Sequence, residues 1–84
     1  MIFQKIQEFI AEQLSIDKNN IKLESDLKED LGIDSIDAVG LIIKIEEFFK
    51  LEISDETLQK FKNVKDILEY IQQHINNYDY LEKK

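Results

Sequence analysis

An all-α fold is predicted by three features of the chain: apolar residues recur at helical spacing in three long segments, no segment sustains a period-two alternation, and capping residues stand where the periodic runs begin. The expected architecture is a small bundle of three main helices plus one short helix, with a long loop between the first and second. A sequence of 84 residues with no proline, two glycines and no low-complexity stretch leaves room for one domain. That domain is placed at residues 1–76, and 77–84, with Tyr78 and Tyr80, is expected to be a fraying C-terminal tail. A domain of this size buries only about 60% of its unfolded surface, so its single core has little reserve.

The first helix is read over Ile2–Leu14, where Ile2, Ile6, Phe9 and Ile10 share a face with Phe3 and Leu14. Periodicity then fails from Ile16 to Asp34. The cluster Asp17-Lys18-Asn19-Asn20 marks a turn, and Ile21, Leu23, Leu27 and Leu31 are spaced like anchors that pin a long connection. A short helical turn is expected near Asp26–Asp30, because connections longer than about 12–15 residues usually hold some structure or serve a function. The second helix starts at Ser35, with Asp34 as its N-cap and Asp37 in its electropositive first turn, and is expected to run to about Lys50. Ser54, followed by Asp55 and Glu56, caps a short third helix that ends near Phe61. Asn63 caps the fourth, whose stripe is Val64, Ile67, Leu68, Ile71 and Ile75.

The second helix is apolar on more sides than a small bundle needs. Ala38, Leu41, Ile42, Ile45 and Phe49 form the natural core stripe. Ile36, Val39 and Ile43 form another on a neighbouring face, with Phe48 adding apolar surface beside it. Either the packing is wide and these residues are half-buried, or the second stripe is offered to a partner. The rim of Asp34, Asp37, Glu46 and Glu47 favours the partner.

Charge and composition narrow the function. A formal charge of −7 repels nucleic acid and anionic lipid alike, so partners are expected to be proteins with basic patches. With no cysteine, any thiol chemistry must come from an added group. The N-terminus lacks the basic and apolar blocks of a signal peptide and no apolar run reaches membrane-spanning length, which points to a cytoplasmic chain, expected to be a monomer. His74, alone near the end of the fourth helix, reads as a solvated residue rather than a catalyst. Asp17-Lys18-Asn19-Asn20-Ile21 lacks the glycine and closing glutamate of a calcium loop, and Asp30, Asp34 and Asp37 read as a solvated acidic face rather than a metal site. An autonomous enzyme is therefore not expected, and no catalytic residue is assigned.

Ser35 lies at the first turn of a helix after a loop that contains Gly32, where another enzyme can reach its hydroxyl. The run Asp30-Leu31-Gly32-Ile33-Asp34-Ser35-Ile36-Asp37 resembles the phosphopantetheine attachment site of acyl carrier proteins, and the similarity extends over roughly Ile2 to Ile75 through Glu46-Glu47-Phe48-Phe49 and Ile53-Ser54-Asp55-Glu56. The resemblance implies that a phosphopantetheinyl transferase joins 4'-phosphopantetheine from coenzyme A to Ser35, flanked by Asp34 and Ile36. It further implies that acyl groups ride on the arm as thioesters and can retreat between the helices. Asp37, Val39, Ile43, Glu46 and Glu47 are then the residues expected to meet the transferase and the acyl-processing enzymes.

Three positions depart from the usual pattern: Gly40 replaces a common acid, Ile36 a common leucine and Ser54 a common proline. A mid-helix glycine costs on the order of 1 kcal/mol relative to alanine, so Gly40 either allows a close backbone approach or is drift. Glu46-Glu47 and the freestanding length favour a fatty-acid role over a polyketide, aminoacyl or D-alanyl one. The alternative from another class is a non-covalent acidic adaptor in which Ser35 is incidental.

Overall fold

Ile6 and Ile10, one helical turn apart, fix the buried edge of α1 (Ile2–Leu14), with Ile2, Phe3, Phe9 and Leu14 half-buried around them. The structure is a computed structural model that describes residues 2–75, so the tail expected at 77–84 lies outside the described residues. α1 ends where Ser15 enters the left-handed region (φ 59°) and Ile16 N–H donates back to the Ala11 carbonyl at 3.1 Å.

The connection from Ile16 to Asp34 holds no α-helix. Lys18–Asn20, where the sequence suggests a plain turn, is a short 3-10 helix whose start is fixed by Asp17, which accepts from Asn19 N–H at 2.9 Å. The helical turn expected near Asp26–Asp30 is present in its hydrogen bonds but does not grow into a helix. Asp30 N–H reaches the Asp26 carbonyl and Gly32 N–H the Lys28 carbonyl, both at 3.0 Å. Gly32 then turns left-handed (φ 69°), and Ile33 N–H closes the turn on the Leu27 carbonyl at 2.8 Å. Of the four expected anchors, Ile21 and Leu27 are buried and Leu23 and Leu31 half-buried. Backbone bonds add to their hold. Leu27 N–H donates to Lys62 (2.9 Å), Val64 N–H to Ser25 (3.2 Å) and Lys65 N–H to Leu23 (3.0 Å), so the loop is tied to the start of the last helix around one antiparallel bridge, Asp26 to Asn63.

The remaining helices follow their caps. α2 (Ser35–Phe49) stops one residue before the expected Lys50, because Lys50 is left-handed (φ 57°) and Leu51 N–H turns back to the Glu46 carbonyl at 3.2 Å. α3 (Asp55–Lys60) is started by Ser54, whose Oγ accepts from Thr57 N–H at 3.2 Å, and ends as Phe61 becomes extended. α4 (Val64–Ile75) begins with a reciprocal cap: Asp66 N–H donates to Asn63 Oδ1 (3.0 Å) and Asn63 N–H to Asp66 Oδ2 (3.2 Å).

α1 packs on both α2 and α4. The shared core is Ile6 and Ile10, then Leu41, Ile42, Ile45 and Phe49 of α2, then Val64, Ile67, Ile71 and Ile75 of α4. Ala38 and Leu68, placed on core stripes by the sequence, are half-buried at its edge. Among the described residues no polar or charged side chain is buried, so every gain from burial here is apolar.

Two isoleucines two positions apart test the faces of α2. Ile45 is 0% exposed and Ile43 48%. Ile45→Ala should lower the unfolding free energy by about 2–5 kcal/mol, whereas Ile43→Ala should lower it by less than about 1 kcal/mol. Urea unfolding of both variants measures this, and similar losses would mean the faces are wrongly assigned.

Candidate functional site

Asp34 organises the start of α2. Its backbone is extended, its carbonyl accepts from Ala38 N–H (2.9 Å), and its Oδ1 accepts from Asp37 N–H (2.8 Å). Ser35, the first helical residue, is exposed, and its position is set by a cap that does not use its own hydroxyl. The loop that delivers it is clamped by Asp26. Oδ1 of Asp26 accepts from Lys28 N–H (2.9 Å) and Glu29 N–H (2.8 Å), while Asp26 N–H donates to Asp30 Oδ2 (2.7 Å). The hydrogen bond from Glu29 N–H, joined by that from Lys28 N–H and by the charges of Lys62 and Lys28, holds the Asp26 carboxyl below the usual aspartate range against a smaller opposing effect of desolvation.

The second apolar stripe is on the surface: Ile36 is 80% exposed and Val39 52%, with Ile43 beside them in the next turn. These values favour the partner reading over wide packing. Phe48 does not extend that stripe. About 140° round the helix from Ile43, it meets Phe9 of α1 edge-on at 5.6 Å, with the Lys5 ammonium 4.9 Å from its ring centre. The charged rim is also divided. Glu47 is exposed, Asp37 is half-buried, and Glu46 is half-buried with Oε2 accepting from Ile53 N–H at 2.8 Å, which pins the connection into α3. Lys44 pairs with Glu12 of α1 at 3.6 Å.

Gly40 faces α1. A Cβ placed there would lie 2.8 Å from Gln13 Nε2, so the missing side chain leaves room for Gln13 against the helix. The three nearest atoms all belong to the Gln13 amide, the movable end of a side chain, so this geometry does not supply the close backbone approach that the sequence left open.

A cleft of about 670 Å³ opens beside Ser35, within the range of small-molecule sites. Its apolar walls are Leu27 and Ile33 of the loop, Ala38 and Val39 of α2, and Leu58 and Phe61 at α3, while Lys28, Asp34, Asp55 and Gln59 supply polar edges. Sequence reasoning placed Ser35, Asp34 and Val39 but missed the contribution of α3 and the loop. Leu27 was legible only as an anchor, and Leu58 and Phe61 carried no motif. Phosphate would meet the first-turn amides of α2, of which Asp34 already engages that of Asp37.

No histidine lines the cleft, and His74 stacks on Tyr70 at 3.9 Å with Nδ1 2.8 Å from the Tyr70 carbonyl oxygen. Among the described residues no group of three side chains is arranged to hold a metal ion, and no helix is long and apolar enough to cross a membrane. Chemically, the arrangement offers an exposed serine at a capped helix start.

Comparison with known proteins agrees with this geometry. A family profile described as the phosphopantetheine attachment site matches residues 4–71. The chain is 96% identical to an acyl carrier protein of Phytoplasma mali over the full length of both, and 54% identical to one of Aster yellows witches'-broom phytoplasma over 84% of this chain and 93% of that one. Among solved structures, a chain from Mycobacterium tuberculosis assigned as an acyl carrier protein superposes with a TM-score of 0.82 at 29% identity, covering 87% of this chain and 97% of that chain.

The Asp26 clamp has a pH signature. Its carboxyl titrates below the ordinary value of 3.8 in the folded chain, so its stabilising effect is complete above that value and is lost as pH falls through the lower folded one. Asp26→Asn should flatten the acid side of the stability profile between about pH 5 and pH 1. Urea midpoints across that range measure it, and equal acid slopes for both proteins would refute the clamp.

Proposed function

This chain belongs to the phosphopantetheine-attachment family of acyl carrier proteins, and on that premise we propose that Ser35 is the acceptor to which a transferase joins 4'-phosphopantetheine, the loaded chain then carrying acyl intermediates in fatty-acid biosynthesis. The observation that carries the proposal is the exposed serine on a capped helix end, opening onto an apolar cleft. One P–O bond forms at Ser35 Oγ, the diphosphate bond of coenzyme A breaks, and the nucleotide half leaves. The proton of the hydroxyl passes to the transferase. When bound, the group supplies the thiol that a sequence without cysteine lacks, and with it the thioester linkage.

The chain's own residues present and recognise. Asp34 holds the first turn of α2 in place; Gly32 lets the loop turn sharply into it. Ile33, Ala38, Leu58 and Phe61 give an acyl chain an apolar surface away from water. Ile36, Val39 and Ile43 are the apolar docking stripe, with Asp37 and Glu47 as the charges that draw in a basic partner. Glu46 serves docking from a carboxylate that also braces Ile53. The adjacent acids Glu46-Glu47 support the fatty-acid assignment over specialised carrier roles, and the acidic composition suits a cytoplasmic monomer that meets its enzymes in turn.

Incubation with coenzyme A and a phosphopantetheinyl transferase tests this reading. Tandem mass spectrometry should place one adduct on Ser35 and none on Ser15, Ser25 or Ser54, and Ser35→Ala should abolish it with an unchanged helical signal. Glu47→Lys should slow the transfer about tenfold at low salt. An adduct on another serine, or no adduct on a chain shown to be folded, would refute the proposal; a Glu47→Lys rate equal to the parent's would remove Glu47 from the docking surface.

A further inference from the structure

A phosphodiester on Ser35 would sit in an unfavourable field. The cleft beside it is edged by Asp34 and Asp55, Asp37 follows in the first turn of α2, and the chain as a whole is strongly acidic. First-turn amides offset part of this, but one of them already serves Asp34. A fixed anion among carboxylates is favoured by a nearby cation, and one basic residue lines the same cleft.

That cation is Lys28, the sole basic residue among those lining the cleft. Its backbone is tied to the site from both sides: its N–H donates to Asp26 Oδ1 at 2.9 Å, and its carbonyl accepts from Gly32 N–H at 3.0 Å. Only Ile33 and Asp34 separate Gly32 from Ser35. The side chain is exposed, and the ion pairs among the described residues are Lys5–Glu8, Lys44–Glu12 and Lys65–Glu69, none of which engages it.

We infer that Lys28 is the counter-charge of the arm, its ammonium group neutralising the phosphodiester on Ser35 and biasing the arm toward the cleft rather than bulk water. The inference rests on the Ser35 reading and deepens it. Hydrophobic lining alone gives an acyl chain a place to go; Lys28 fixes the end from which it starts. The interaction is a partly screened surface contact, so it weakens as ionic strength rises. It orders the arm without locking it, as delivery to a second enzyme requires.

The test compares apo chain with holo chain purified after loading, at low salt. In the parent, the ε-carbon and ammonium resonances of Lys28 should move on loading while those of Lys65 stay. Lys28→Gln should shift the phosphorus resonance of the arm and narrow the arm's proton signals as it loosens. Lys28→Arg should preserve the parental values, and Lys65→Gln, with the same change of net charge elsewhere, should leave them untouched. Unmoved Lys28 resonances on loading, or a phosphorus signal equally indifferent to Lys28→Gln and Lys65→Gln, would overturn the assignment while leaving Ser35 as the acceptor. Failure of the parent chain to accept the arm at all would instead overturn the reading beneath it, and the mass of the product separates the two cases.

Discussion

Everything in this small fold depends on α2 being apolar on two sides at once. One side must bury Leu41, Ile42, Ile45 and Phe49 in the core that α2 shares with α1 and α4, because a core this small has little stabilisation to spare. The other leaves Ile36, Val39 and Ile43 in water, a cost that packing within the chain does not recover. The helix is thus anchored firmly enough along one face that the opposite face and the N-terminal end can be given over to partners. Rigidity is what the serine borrows: its hydroxyl is exposed, but the backbone beneath it belongs to a helix held in the core by Leu41, Ile42, Ile45 and Phe49.

The loop and α3 complete what α2 begins. The long connection contributes little to the core apart from Ile21, Leu27 and Ile33, yet it is dense in local hydrogen bonds, with Asp26 holding two amides and Gly32 making the left-handed step before the helix. α3 is only six residues and buries none of its own completely, so its hold on the bundle is light. Glu46 connects these regions, since its carboxylate braces the segment leading into α3 while its backbone closes α2.

How much of this was legible in the sequence follows from which interactions are local. Helix starts were legible because capping is local: Asp34, Ser54 and Asn63 each hold an amide three residues ahead. The core stripes of α2 and α4 were legible because helical spacing maps directly onto a face. The 3-10 turn at Lys18–Asn20 was not, since Asp17-Lys18-Asn19-Asn20 suits several turn types alike. Phe48 was misplaced beside the exposed stripe although helical spacing sets it about 140° from Ile43; its contact with Phe9 was illegible because it joins two helices. The cleft was illegible for a different reason: its walls come from three separate segments, and Leu58, Phe61 and Lys28 gain meaning only when the Leu27–Lys62 hydrogen bond brings the loop to the end of α3. Gly40 was visible as an anomaly, but its neighbour across the helix interface, the Gln13 amide of α1, was not.

The central claim is that the chain works as a covalent carrier rather than as a bare acidic bundle that other proteins grip. The intact mass of the chain purified from native cells without a reducing or hydrolysing step addresses that most directly. The account expects a mass above that of the polypeptide by one phosphopantetheinyl group, with a further series of species spaced by acyl groups that collapses to the single holo mass on thioester cleavage with hydroxylamine. A native chain found entirely at its polypeptide mass would contradict it.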